Sequence, residues 1–178
     1  MKHPRLSPEI EGLPIEITFA PRLWAQGGKL VVGNIPRGRE VHAATFLRQR
    51  RIVLDVGLKS RPAELQRILL HELFHFAWLR LGNPKRRSFE NLLRREMGER
   101  VRGELGWSSE RLKTGLSRQD STLRTGRWRE YACESFCDTA AWLFSHARSH
   151  DEFTLSTAGR AGRRNWFEEM QLTVRISV

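Results

Sequence analysis

A chain of 178 residues, 39% of them hydrophobic, is long enough to bury a core without disulfides and tight for two domains, so it reads as one domain spanning residues 1–178. Its 31 Lys and Arg against 20 Asp and Glu leave a net charge of +11, a balance that can attract nucleic acid or another polyanion, or simply clothe a solvated surface. The start of the chain lacks the apolar stretch of a secretory leader, and the most apolar segment, Ile68 to Leu81, is short and interrupted by His71, Glu72, His75 and Arg80. The expectation is a cytoplasmic protein with no membrane partner and with its two cysteines reduced.

In chain order, residues 1–14 are expected to be flexible. Ile15 to Phe19, Lys29 to Val32, Val41 to Phe46 and Ile52 to Val56 are short apolar runs bounded by Pro and Gly, and they predict strands. Gln49-Arg50-Arg51 is placed to join two of them in antiparallel fashion. From Pro62, leucines and aromatics recur at three- and four-residue intervals to Leu81, which predicts a helix with proline in its first turn. A second helix is predicted from Ser88 to about Leu105. A short one follows, capped by Ser108 or Ser109, and then a polar loop over Ser117 to Gly126. Trp128 to His146 predicts another long helix, and residues 157–178 open on a Gly- and Arg-rich stretch expected to be mobile. The fold class is α+β: a small twisted, mainly antiparallel sheet packed on helices.

The chemistry sits in the first long helix. His71-Glu72-Leu73-Phe74-His75 is an HExxH string, whose two histidines, four apart, share a face and can grip one ion, while Glu72 is rotated aside to reach a metal-bound water as general base. Two histidines on an apolar helix can also be plain buried residues, and a metal site requires a further ligand. A catalytic zinc keeps three protein ligands and an open fourth position. The metzincin extension would need Gly at 78 and His at 81, where this chain has Trp78 and Leu81. The third ligand therefore lies downstream, and Glu134 is the leading candidate because Asp138 follows it one turn later on the same helical face.

Together, His71-Glu72-x-x-His75 and Glu134-x-x-x-Asp138 resemble the gluzincin arrangement typified by thermolysin. That resemblance implies a zincin-like fold, one Zn2+, hydrolysis of peptide bonds, Glu134 on the metal and Asp138 hydrogen-bonded to His71. The stretch from Glu130 to Leu143 is also similar to the second motif of the ImmA/IrrE-type metallopeptidases, an alignment in which Glu130 would be the ligand. Gluzincins steady the oxyanion with a Tyr or His, for which Tyr131, the single tyrosine, and His146 are the candidates. Zincin architecture further implies that the strand before the HExxH helix, near Ile52 to Val56, is a sheet edge against which an extended peptide could lie.

Cys133 and Cys137 can bind zinc too, although core packing is the favoured reading for small thiols on an apolar helix. The expected partners are a peptide or protein substrate and, through the basic surface, a polyanion. The alternative class is a non-catalytic, zinc-containing nucleic-acid-binding or regulatory protein, whose metal would be closed by a fourth protein ligand such as Glu130 or a cysteine. The long Lys85 to Arg129 stretch between the two motifs could cover the cleft.

Overall fold

The computed structural model describes residues 8–27, 29–33, 38–147 and 149–178. The class is α+β, with strands β1 (Glu9–Glu11), β2 (Glu16–Ala20), β3 (Leu23–Gln26), β4 (Lys29–Val32), β5 (Arg39–Val41), β6 (Ala43–Phe46), β7 (Arg51–Asp55) and β8 (Arg175–Ser177). The helices are α1 (Pro62–Arg80), α2 (Gly82–Gly98), α3 (Trp107–Thr114), α4 (Arg118–Leu123), α5 (Gly126–Phe144) and α6 (Thr157–Glu169). None of them is long and apolar enough to cross a membrane.

The strands divide among three small sheets, ordered β2-β7-β6, β4-β3-β5 and β1-β8. β7 is the middle strand of the first, parallel to β2 and antiparallel to β6, with Ile17 and Thr45 both in register with Ile52. Its Ile52, Val53 and Leu54 are all buried, the continuous apolar run of a strand covered on both faces. Gln49 and Arg50 do make the antiparallel turn, through a 3-10 turn at Leu47–Gln49 and a left-handed Arg50. The central place of β7 corrects one expectation: a strand paired on both sides offers no edge to a peptide. The edge strands of this sheet are β2 and β6, of which β6 packs against α1.

Val41 to Phe46 was expected as one strand and is two. The chain leaves one sheet as β5 and enters another as β6, and at the junction the His42 carbonyl accepts a hydrogen bond from the Asp55 amide. β3 escaped prediction because its four residues lie behind the Pro21-Arg22 break, where Arg22 turns left-handed. α2 begins at Gly82, six residues before its expected start, since Pro84 sits in a first turn that needs no amide there. It ends at Gly98, and residues 101–104 run on without helix. The expected loop from Ser117 contains α4, started by a capping box in which Ser117 and Asp120 satisfy each other's amides.

Neither end of the chain follows the expectation of flexibility. Residues 1–7 lie outside the described set, but Glu9–Glu11 pairs in parallel with Arg175–Ser177, and the Gly- and Arg-rich stretch forms α6. Gly159 lets α6 approach closely, since a Cβ there would stand 2.9 Å from the Leu155 and Val101 side chains, and Arg163 within the helix is fully buried. The helical core is aromatic: Phe74 of α1 stacks on Phe144, and Phe136 of α5 stacks on Phe167 of α6.

Arg163 is buried because it is shared. Its guanidinium binds Glu96 at 2.8 Å and Glu104 at 2.7 Å, while Glu104 also meets Lys113 at 3.0 Å and accepts the Tyr131 hydroxyl at 2.6 Å. Two carboxylates and two cations thus close a neutral cluster joining α2, α3, α5 and α6. The chain before α3 is pinned from the other side as well: Gly103 has φ +80°, and a Cβ there would stand 2.2 Å from the Thr154 carbonyl oxygen. Burial opposes the charge of Glu104, but Arg163 and Lys113 overrule it and hold its pKa down at about 2, against an ordinary value of 4.5. A depressed carboxylate stabilises the fold fully above its unfolded pKa and loses that contribution as pH falls through the folded one. Glu104→Gln should therefore destabilise the protein at neutral pH by about 3 kcal/mol or more, as removal of one partner from a buried pair does. Urea unfolding from pH 7 down to about pH 2 should show the difference from wild type shrinking as acid protonates the native carboxylate.

Candidate metal centre

α1 and α5 lie against each other, and the face each presents at the contact carries charge. From α1 come His71 and His75; from α5 comes Glu134. The His71 Nε2 is 3.3 Å from one Glu134 carboxylate oxygen, and the His75 Nε2 is 3.7 Å from the other. Ligand atoms about 2.0–2.2 Å from a common tetrahedral ion stand roughly 3.4 Å apart. The observed separations fit that geometry, and two imidazoles with a carboxylate are a donor set suited to zinc.

The outer nitrogens of the two rings are both engaged, by different chemistry. His71 Nδ1 lies 2.8 Å from Asp138 Oδ1, which fixes the ring and its tautomer, and the other Asp138 oxygen accepts the Ser109 amide at the start of α3. Gly106 must be glycine for this to happen, since a Cβ there would fall 2.2 Å from the Asp138 carboxylate. His75 Nδ1 faces a thiol instead, with Cys133 Sγ at 3.5 Å. Glu72 turns toward β6, where the Thr45 hydroxyl donates to its carboxylate at 2.6 Å.

The buried charges of the cluster answer one another. Burial opposes the Glu134 charge, yet the two histidines keep its pKa at about 2. Burial likewise pushes both imidazoles toward neutrality; Asp138 and Glu134 raise His71 well above its ordinary range, and Cys133 and Glu134 bring His75 to about 9. Cys133 is lowered to about 6, first by the Cys137 thiol and then by His75.

The cluster opens into a cleft of about 450 Å³, of the size that takes a small ligand or a few residues of peptide. Val41, His42 and Ala43 form one wall and α3 the other. Trp107 and Ser108 are what the Lys85 to Arg129 stretch contributes to that wall. At the mouth the Arg39 guanidinium lies over the Trp107 ring at 4.9 Å, spanning the two walls. No family model, curated protein or solved structure matches the chain.

The structure brings together His71, Glu72, His75, Glu134 and Asp138. It leaves the alternative ligand out: Glu130 is exposed on α5 and belongs to no group of converging donors. Neither oxyanion candidate lines the cleft. Tyr131 is buried with its hydroxyl on Glu104, and His146 is exposed beyond the end of α5, its amide bonded to Gln66. His42, at the junction of β5 and β6, is a cleft imidazole that its sequence neighbours gave no reason to single out. Thr45, Gly106 and Ser109 were missed as well, because their roles arise from residues 27 to 32 positions away in the chain. Cys133, expected to be core packing, touches His75.

Zinc competition against a chelator should separate these roles. Glu134→Ala should lose the metal and Glu130→Ala should keep wild-type affinity, while Asp138→Ala should weaken binding about 10- to 100-fold. Gly106→Ala should act on the same carboxylate from behind, lowering zinc affinity while costing about 1–3 kcal/mol of stability in denaturant unfolding.

Proposed function

We propose that the protein is a zinc-dependent peptidase of the gluzincin type. The observation that carries this reading is the convergence of His71, His75 and Glu134 at ligand spacing, with Glu72 beside them and a cleft on the open side. A divalent ion held by those three residues would lower the pKa of a bound water and polarise a carbonyl.

Glu72 supplies the proton chemistry. Its carboxylate lies on the cleft wall, held by Thr45, so it can accept a proton from the attacking water and return it to the leaving amine. Asp138 holds the His71 ring through Nδ1, which would leave Nε2 to face such an ion. The outer edge of β6, unpaired among the described residues, adjoins the cleft at Ala43 and can hold an extended peptide by main-chain hydrogen bonds. The Arg39–Trp107 contact would have to part, or sit over the substrate, for such a peptide to enter.

The closed-metal alternative has less support. A structural zinc needs a fourth protein ligand. Glu130 is exposed, and Cys133 lies on the Nδ1 side of His75, away from the cleft. Three ligands facing a cleft favour catalysis.

A mixture of unstructured peptides incubated with the zinc-loaded protein should be cleaved at peptide bonds, as read by mass spectrometry. Glu72→Gln should retain zinc and lose about 10²- to 10⁴-fold in rate, the contribution of a general base. Equal cleavage by the two proteins would overturn the assignment.

A further inference from the structure

We propose that Cys133, Cys137 and Nδ1 of His75 form a second metal site, suited to a thiophilic divalent cation, that competes with the cleft for the shared histidine. The competition rests on the metallopeptidase reading of the cleft; the sulfur site stands on its own geometry.

One donor atom from each of His75, Cys133 and Cys137 lies within 4.8 Å of the others. An ion about 2.3 Å from each sulfur and about 2.0–2.1 Å from the nitrogen could touch all three. The cysteines are four apart in the uninterrupted helix α5. That spacing keeps Cβ atoms about 5–6 Å apart, whereas a disulfide needs roughly 3.5–4.5 Å. The same helical period that sets His71 and His75 on one ion sets these two thiols side by side for a shared ligand rather than a bond.

The surroundings select the ion. Cys137 is fully buried and Cys133 partly so, and coordination would release both thiol protons to solvent, leaving two thiolates that neutralise a divalent charge. Sulfur ligands favour zinc, cadmium or cobalt over magnesium or calcium, which seek oxygen.

The coupling comes from the ring. A neutral imidazole offers one lone pair. An ion on Nδ1 leaves the proton on Nε2, the nitrogen 3.7 Å from Glu134, and His75 is then lost to the cleft. Excess thiophilic metal would thus empty the cleft rather than fill it.

The test uses full-length, metal-free protein under a non-thiol reductant, titrated with Co2+ and read by the near-ultraviolet thiolate-to-cobalt charge-transfer band. Glu134→Gln, which lacks a cleft ligand, should develop the band, and Cys133→Ser with Cys137→Ser should abolish it while circular dichroism shows the fold intact. Cd2+ added to zinc-loaded wild type should release zinc to a chromogenic chelator, and the double serine variant should release much less. A folded Glu134→Gln protein without the band, or equal zinc release from wild type and the double variant, overturns the proposal. A reduced wild type that retains no zinc in the cleft defeats the peptidase reading instead, and the charge-transfer band still decides the sulfur site.

Discussion

The contact between α1 and α5 is the constraint on which the rest of the structure depends. Two helices that pack through Phe74 and Phe136 on one side bring two imidazoles and two carboxylates together on the other, nearly out of water. Charges so placed are costly unless they answer one another or share an ion. In this chain they answer one another: Glu134 spans both histidines, and Asp138 holds the far side of His71. An ion bound between these groups would take the place of protons on the imidazoles.

The surrounding elements can be understood as devices that keep this contact fixed. The sheet β2-β7-β6 sets β6 against α1 so that Thr45 reaches Glu72. The buried Arg163 cluster anchors Glu104 and with it the chain entering α3, whose Ser109 amide and Gly106 close approach grip Asp138. A carboxylate serving one ligand is therefore held by a loop that is itself held by an ion cluster on the far side of α5. Stability and metal geometry share these residues, and a change that loosens the cluster at Glu104 would be felt at His71.

The readable and unreadable parts of the sequence divide along a physical line. α1, α5 and the HExxH face were legible because helical period and short spacing encode them locally, and the choice of Glu134 over Glu130 followed from a one-turn relation to Asp138. β3, α4 and α6 were missed for different reasons: β3 is four residues behind a proline break, α4 is one short turn started by a local Ser117–Asp120 cap within a polar stretch, and α6 is a basic helix whose arginine finds two buried glutamates far upstream. The Arg- and Gly-rich tail shows the point most clearly. Composition alone gives Arg163 to solvent, and only Glu96 and Glu104, both far upstream in the chain, make it a core residue. The strand expected to receive peptide failed for the same reason, because which strand is at an edge is a property of the sheet.

The two histidines of one motif are not equivalent in this fold. His71 has a carboxylate behind it, which makes its outer nitrogen a donor and leaves its inner one free to accept. His75 has sulfur behind it, and a thiol is a weaker and more changeable partner than a carboxylate. The position of His75 is thus the softer half of the grip. The two imidazoles are held unequally, one by a carboxylate and one by a thiol that sits in α5 one residue before Glu134.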